Sequence, residues 1–151
     1  MAELKVSAIR EGTVIDHIPA GKGLKVIDIL HLNGANGGVL LLASNVTSKK
    51  LGRKDIVKVE GKFLSEEEVN KIALIAPNAT VNIIRGYGIV EKFRVTLPNE
   101  IVGILHCPNP NCVSNHEYVK SRFHVVSREP LKLRCHYCER TIGMEEIPGS
   151  L

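Results

Sequence analysis

The chain of 151 residues is long enough for one domain or two small ones. Its composition, with 44% hydrophobic and 24% charged residues, is typical of a globular protein, and no apolar run approaches the roughly 18 residues that suggest a membrane-spanning helix. The formal net charge of +4 is too small for a strongly basic nucleic-acid-binding arm. Because the N-terminus also lacks the pattern of a secretory signal, the sequence predicts a soluble cytoplasmic protein that binds neither a membrane nor nucleic acid.

The first sixty residues alternate between strand and helix patterns. The outer strand segments alternate in their residue pattern, the central strand is a short continuous apolar run, and in the helical segment apolar residues recur at near-helical spacing. The predicted elements are a strand over residues 4–10 continued over 13–18, a helix over 20–32, a central strand over 39–43, a polar connection over 44–54 and a strand over 55–60.

The clearest helix of the sequence begins at Ser65. Ser65 and Glu68 form a capping-box pattern, in which each side chain bonds the other residue's backbone amide. Pro77 ends the helix, and strands over 80–85 and 89–95 follow around a glycine-rich turn. The apolar face of this helix is Val69, Ile72, Ala73 and Ala76.

This order of elements predicts an α+β fold. Strand, helix, strand, strand, helix, strand, with one strand appended, matches the ferredoxin-like split βαβ arrangement. Both helices would then cover one face of the sheet and leave the other face available for a ligand. We place the domain boundary near Leu97, so that an N-terminal domain over 1–97 precedes a small all-β domain over 98–151.

All four cysteines lie in the C-terminal third, as two closely spaced pairs: Cys107 with Cys112, and Cys135 with Cys138. Two such turns can supply the four corners of a tetrahedral zinc site, whereas the alternative is a pair of disulfides. Without export the thiols should stay reduced, which favours zinc. Four thiolates would complete the coordination shell, so we expect the histidines beside them not to bind the ion, and we expect one structural rather than catalytic zinc. Short strands are predicted over 101–105, 122–126, 131–134 and 141–147.

Cations cluster in the middle of the N-terminal domain, and this cluster has two interpretations. It is either a solvated surface or a polyphosphate site, in which Lys54 and Lys58 project from one face of a strand and Lys92 joins them across the sheet. We predict no catalytic residues, because the nucleotide-loop and nucleophile motifs are absent and the adjacent Asp16 and His17 would point to opposite faces of a strand. The cationic residues are Lys49, Lys50, Arg53, Lys54, Lys58 and Lys62.

Long segments of the chain, together with the four cysteines, resemble the regulatory chain of aspartate carbamoyltransferase, an enzyme of pyrimidine biosynthesis. The resemblance implies a regulatory subunit without catalytic activity of its own. Its N-terminal domain would bind the allosteric effectors CTP and ATP, and its zinc domain would dock on the catalytic chain. Regulatory chains of this family also form homodimers. The matching segments are residues 12–20, 52–55, 63–66 and 76–82.

The resemblance also implies which residues bind the nucleotide. The triphosphate would meet His17, Lys54 and Lys92. The base and ribose would meet Val6, Ala8, Ile9, Asp16, Lys58, Asn82, Ile84, Tyr87 and Ile89.

Two other classes of protein fit parts of the sequence. A zinc-ribbon nucleic-acid-binding module is the first alternative, but the C-terminal domain is nearly neutral and offers few aromatic side chains for stacking. A zinc enzyme is the second, and four thiolate ligands would leave it no open coordination position.

Overall fold

The computed structural model describes residues 9–32, 38–49 and 52–151. The chain divides into two compact units, residues 1–96 and residues 97–151. The elements of the first unit are β1 (Gly12–Pro19), α1 (Gly23–Ile29), β2 (Leu40–Ser48), β3 (Gly52–Glu60), α2 (Glu66–Ile75), β4 (Thr80–Arg85) and β5 (Gly88–Arg94).

The five strands of the first unit form one antiparallel sheet in the order β2-β3-β1-β4-β5. The first four strands have the order of a ferredoxin-like sheet, and β5 extends its edge beyond β4. Gly86 and Tyr87 both have positive φ, so the β4–β5 hairpin closes through a tight turn whose twist suits antiparallel strands. The predicted fold class is confirmed.

One face of this sheet carries the hydrophobic core. Ile15, Val57 and Val81 lie side by side on neighbouring strands and are fully buried. Helix α1 contacts β2, β3 and α2, and Gly23 at its start lies so close to Leu42 and Asp55 that a Cβ atom there would collide with both. Residues Val14, Lys58 and Asn82 alternate with the core positions and therefore belong to the opposite face.

The sequence misplaced several boundaries in this unit. The predicted polar connection over 44–54 is mostly strand, because β2 continues to Ser48 and β3 already begins at Gly52. Polar residues are tolerated there because β2 is an edge strand and bulges between Ala43 and Val46. Helix α1 is shorter than predicted and begins only after Gly21. The predicted strand over 4–10 lies largely outside the described residues.

The second unit contains a four-stranded antiparallel sheet in the order β6-β7-β8-β9. Phe123, Leu133 and Ile142 are fully buried on it. The strand predicted over 141–147 ends already at Gly143, and a turn over 144–146 leads into a four-residue helix, α3. The elements are β6 (Glu100–Val102), a 3-10 turn (Val113–Asn115), β7 (Arg122–Arg128), β8 (Leu131–Cys135), β9 (Thr141–Gly143) and α3 (Ile147–Ser150). None of the helices in the described ranges combines the length and the apolar character that crossing a bilayer requires.

Candidate functional site

The four cysteines converge on a single centre in the second unit. Their sulfur atoms all lie within 4.8 Å of one another, and none is in a disulfide. The Sγ atoms of Cys107 and Cys138 are 3.6 Å apart, and those of Cys112 and Cys135 are 3.7 Å apart. A tetrahedron of sulfur ligands about 2.3 Å from a zinc ion has edges of about 3.8 Å. The thiols therefore stand where ligands of a metal ion would stand, and the disulfide alternative is wrong.

Local hydrogen bonds hold the two cysteine turns in shape. The Asn115 side-chain amide donates to the carbonyl oxygens of Cys107 at 2.9 Å and Asn109 at 2.8 Å, which closes the first turn. Cys135 is the last residue of β8, and its backbone amide donates to the Arg140 carbonyl oxygen. The strand thereby delivers the second cysteine pair beside the first.

The environments of the thiols differ, and their pKa values differ accordingly. Burial and the neighbouring thiols raise the pKa of Cys107 to about 12, although the Asn109 amide opposes this. Burial also raises the pKa of Cys135. For Cys138 burial is outweighed by the Arg140 amide, the Asn109 side chain and the adjacent thiols, and its pKa falls to about 7. A bound cation would favour the thiolate form of all four, since metal binding displaces their protons.

Three histidines near this centre contact groups other than the thiols. His116 Nε2 lies 2.6 Å from the Pro110 carbonyl oxygen, and His124 Nε2 lies 2.9 Å from His136 Nδ1. Within the described ranges, the cluster of four thiols is the one group of His, Cys, Asp and Glu side chains arranged to hold a metal ion.

A second group of predicted site residues lies on the sheet face opposite the core. Val14 on β1 pairs with Lys58 on β3 and with Asn82 on β4, and Asn82 pairs with Lys92 on β5. Residues that pair directly across antiparallel strands share a face. Lys58, Asn82 and Lys92 therefore form one row across the sheet, with Lys92 exposed at its edge and Asn82 only 6% exposed at its centre. Ile84 pairs with Ile89 on the same face.

A bulge in β1 shapes the other end of this face. The β1–β3 register shifts between Ile15 and Ile18, and His17 within the shift has a φ of 59°. The His17 imidazole Nδ1 lies 3.0 Å from Thr80 Oγ1. Lys54 Nζ lies 2.9 Å from Asp16 Oδ1.

The remaining residues that we predicted to bind the nucleotide differ in their position and exposure. Tyr87 lies in the β4–β5 turn with 67% of its surface exposed, and its backbone amide donates to the Arg10 carbonyl oxygen. Ile9, just before β1, is buried. Val6 and Ala8 lie outside the described residues.

Asp55 is a residue of this region that the sequence interpretation missed. The residue is 1% exposed. It accepts hydrogen bonds from the Gly21 and Gly23 amides through Oδ2, and from the Asn45 amide and Ser44 hydroxyl through Oδ1. Period-two alternation on β3 places it on the core face with Val57 and Val59, and this charge at a buried position was the signal available in the sequence.

The fold and the four-thiol centre define a two-domain chain, in which an antiparallel α+β domain precedes a small metal-binding domain. A family model described as the allosteric domain of the aspartate carbamoyltransferase regulatory chain matches residues 4–96. A second model, described as the metal-binding domain of the same chain, matches residues 99–148.

Full-length relatives carry the same description. The aspartate carbamoyltransferase regulatory chain of Thermococcus onnurineus (strain NA1) is 79% identical over the whole of both chains. That of Pyrococcus abyssi (strain GE5 / Orsay) is 75% identical, again over the whole of both. That of Hyperthermus butylicus (strain DSM 5456 / JCM 9403 / PLM1-5) is 55% identical over 98% of this chain and 94% of its own length. The chain belongs to the family of aspartate carbamoyltransferase regulatory chains, and is thus a regulatory rather than a catalytic chain of pyrimidine biosynthesis.

Proposed function

We propose that the domain over residues 1–97 binds CTP and ATP on the sheet face opposite its helices. The row formed by Lys58, Asn82 and Lys92 is the observation that carries this proposal. The row crosses three strand spacings, or about 14 Å, which suits an extended ligand better than a single phosphate. Asn82 offers both donors and an acceptor to a base or sugar, whereas each lysine offers only donors and a positive charge.

The two nucleotides share a triphosphate and differ in the base. Lys54, Lys58 and Lys92 supply charge that either triphosphate can use, and the apolar pair Ile84 and Ile89 supplies a surface for the base. A nucleotide regulates the enzyme only if it binds one quaternary state more tightly, typically by about 1 to 3 kcal/mol. Discrimination between CTP and ATP then depends on contacts to the base.

Thermal unfolding with and without nucleotide tests this proposal. We expect millimolar CTP or ATP to raise the melting temperature, because a ligand that binds only the folded state stabilises it. Lys92→Ala should weaken binding at least about tenfold, since it removes a charged hydrogen bond to phosphate. Lys132→Ala removes an exposed strand lysine from the other domain and should change nothing. Unchanged melting of the wild-type chain at millimolar nucleotide would refute the proposal.

We propose that the metal is a single structural zinc ion and that the domain over residues 98–151 docks on the catalytic chain. The thiol donor set and the sulfur separations suit zinc, and no ligand position remains for water. The first cysteine turn leads directly into a segment that exposes apolar side chains. Val113 is 44% exposed, and Tyr118 is fully exposed. The loop over residues 109–117 and the residues just after it therefore form our candidate contact surface.

We also propose a homodimer of this chain formed through β5. This strand is an edge of the sheet, and six of its seven residues are exposed. Ile89 and Val90 are about as exposed as Tyr87 in the preceding turn. An exposed apolar edge strand readily pairs with another strand, and a second copy of the chain offers the same edge.

Light scattering of the purified chain tests the dimer. We expect a dimeric mass for the wild type and a monomeric mass for Val90→Lys, because a charge on an edge strand opposes pairing. Val126→Lys introduces the same charge at an exposed position of β7 and serves as the control. A dimer that persists in Val90→Lys would place the interface elsewhere.

Two further proposals concern the cellular compartment of the chain and nucleic acid as a partner. Thiolate ligands require reduced cysteines, so we propose that the chain acts in the cytoplasm. We further propose that nucleic acid is not a partner, and a salt-dependent DNA titration of the metal-loaded chain should detect no binding.

A further inference from the structure

Asp16 holds Lys54 by a close, partly shielded ion pair. Lys54 Nζ lies 2.9 Å from Asp16 Oδ1, and the two side chains are 16% and 23% exposed. Both lie on the sheet face that we assign to the nucleotide. A phosphate group that approached Lys54 would find the Asp16 carboxylate already bound to the ammonium group, where an anionic ligand would bind.

The backbone around Asp16 is shaped to keep that carboxylate in position. The His17 amide donates to the same Oδ1 atom at 2.6 Å. This contact depends on the bulge in β1, where His17 has a φ of 59°. Positive φ at a residue other than glycine is uncommon, and such strain concentrates at functional sites.

We propose that Asp16 is an internal counter-anion of the effector site, which a polyphosphate must displace from Lys54 in order to bind. The proposal rests on the proposed nucleotide-binding function and assigns Asp16 a role in it. Asp16 would lower the affinity for phosphate and so set the effector concentration at which the site fills. The ligand class is a polyphosphate anion, whatever base it carries.

This role differs from two others that Asp16 could have. If the ion pair between β1 and β3 were purely structural, removal of the Asp16 charge would destabilise the fold and would not tighten phosphate binding. A direct contact from Asp16 to the ribose would make its removal weaken nucleotide binding. Only a counter-anion predicts that removal of the carboxylate charge tightens the binding of a ligand that has phosphates and no sugar.

The test is calorimetric titration of the full-length, metal-loaded chain with inorganic triphosphate at low ionic strength. We expect Asp16→Asn to tighten binding about tenfold, because one negative charge leaves the immediate surroundings of the phosphates. The gain should shrink as salt screens the charges. Asp28→Asn, at an exposed position of helix α1, changes the net charge equally and should leave the affinity unchanged. Cytidine, which has no phosphate, should gain no affinity from Asp16→Asn.

The possible outcomes distinguish the counter-anion role of Asp16 from the nucleotide-binding function on which it rests. If wild type binds CTP and triphosphate but Asp16→Asn binds triphosphate equally or more weakly, the counter-anion is refuted and the nucleotide site stands. An equal gain in Asp28→Asn, or a gain for cytidine, also refutes it. If Lys54→Met binds triphosphate as tightly as wild type, Lys54 is not a phosphate ligand and the proposal falls. If neither wild type nor Asp16→Asn binds triphosphate or CTP, both proposals fall.

Discussion

Asp55 joins three segments of the first domain through a single buried carboxylate. Its Oδ2 atom binds the turn before α1, through Gly21 and Gly23, and its Oδ1 atom binds the bulge of β2, through Ser44 and Asn45. Burial raises the pKa of this carboxyl, but the four hydrogen bonds outweigh it and the pKa lies below the ordinary value of 3.8. The ionised form is therefore the form that stabilises the fold.

We expect Asp55→Asn to lower the free energy of unfolding by about 2 to 3 kcal/mol at pH 7, because in either orientation the amide nitrogen would face at least one backbone donor. A group whose pKa is depressed by folding stabilises the fold above its unfolded pKa and loses that effect as the pH falls through its folded value. The difference between wild type and variant should thus shrink below pH 3.8. Urea unfolding followed by circular dichroism between pH 7 and pH 3 measures it.

Asp28→Asn is the matched control for Asp55, since Asp28 is exposed on α1. Its stability should follow that of the wild type throughout the titration. Acid loss of the metal affects all three proteins alike, so it cancels in the comparison. A stability difference for Asp55→Asn that stayed constant from pH 7 to pH 3 would show that the charge of Asp55 is irrelevant.

At the scale of elements, helix α2 illustrates how far local sequence determines structure. Ser65 Oγ accepts from the Glu68 amide at 3.2 Å, and Glu68 Oε1 accepts from the Ser65 amide at 3.0 Å. The predicted capping box is confirmed, because all of its atoms come from four consecutive residues. The predicted apolar face is confirmed at Ile72, Ala73 and Ala76, which are buried, while Val69 is half-buried.

We expect Ser65→Ala to destabilise the first domain by about 1 kcal/mol, because it leaves the Glu68 amide without its cap. Glu68→Gln keeps an acceptor that can return to the Ser65 amide but loses the ion pair of 3.0 Å with Lys62. Glu68→Gln should lower the free energy of unfolding by less than Ser65→Ala does, because partly exposed ion pairs contribute little. Denaturant unfolding of both variants provides the comparison, and equal stability of Ser65→Ala and wild type would contradict it.

The ends of strands β2 and β3 were harder to predict from the sequence than the start of helix α2. Residues 44–48 are polar enough to suggest a loop, yet they continue β2 because β3 supplies hydrogen-bond partners for their backbone. Bulges at Ala43/Val46 and at Ile15/Ile18 shift the register on both sides of β3. A bulge is specified by the partner strand, so the sequence of one strand does not reveal it.

At the scale of the whole molecule, the metal-binding domain has too few residues to depend on its hydrophobic core alone. Its buried side chains centre on Phe123 and Leu133, with the four thiols at one end. Domains this small commonly need a metal or disulfides to remain folded. We therefore expect the metal to be a condition for the folded state of this domain.

We expect removal of the metal by a chelator to abolish assembly with the catalytic chain, while the CTP binding that we propose for the first domain persists. The reason is that the thiol centre organises only the second domain. Size-exclusion chromatography reports assembly, calorimetry reports CTP binding, and zinc readdition should restore assembly. Cys112→Ser should behave as the chelated protein, whereas Ser121→Ala in the same domain should assemble normally. Normal assembly of the chelated chain would show that the metal is dispensable.

By itself the sequence determined the α+β class, the capped helix, the β4–β5 hairpin and the two cysteine pairs, because each depends on residues close together in the chain or on a periodic pattern. Only the tertiary structure decided that Asn82 lies between Lys58 and Lys92 in one row, that Asp16 pairs with Lys54 and that the buried Asp55 carboxylate joins separate segments. These contacts depend on the register between strands far apart in sequence. A shift of one residue reverses the face to which each side chain points.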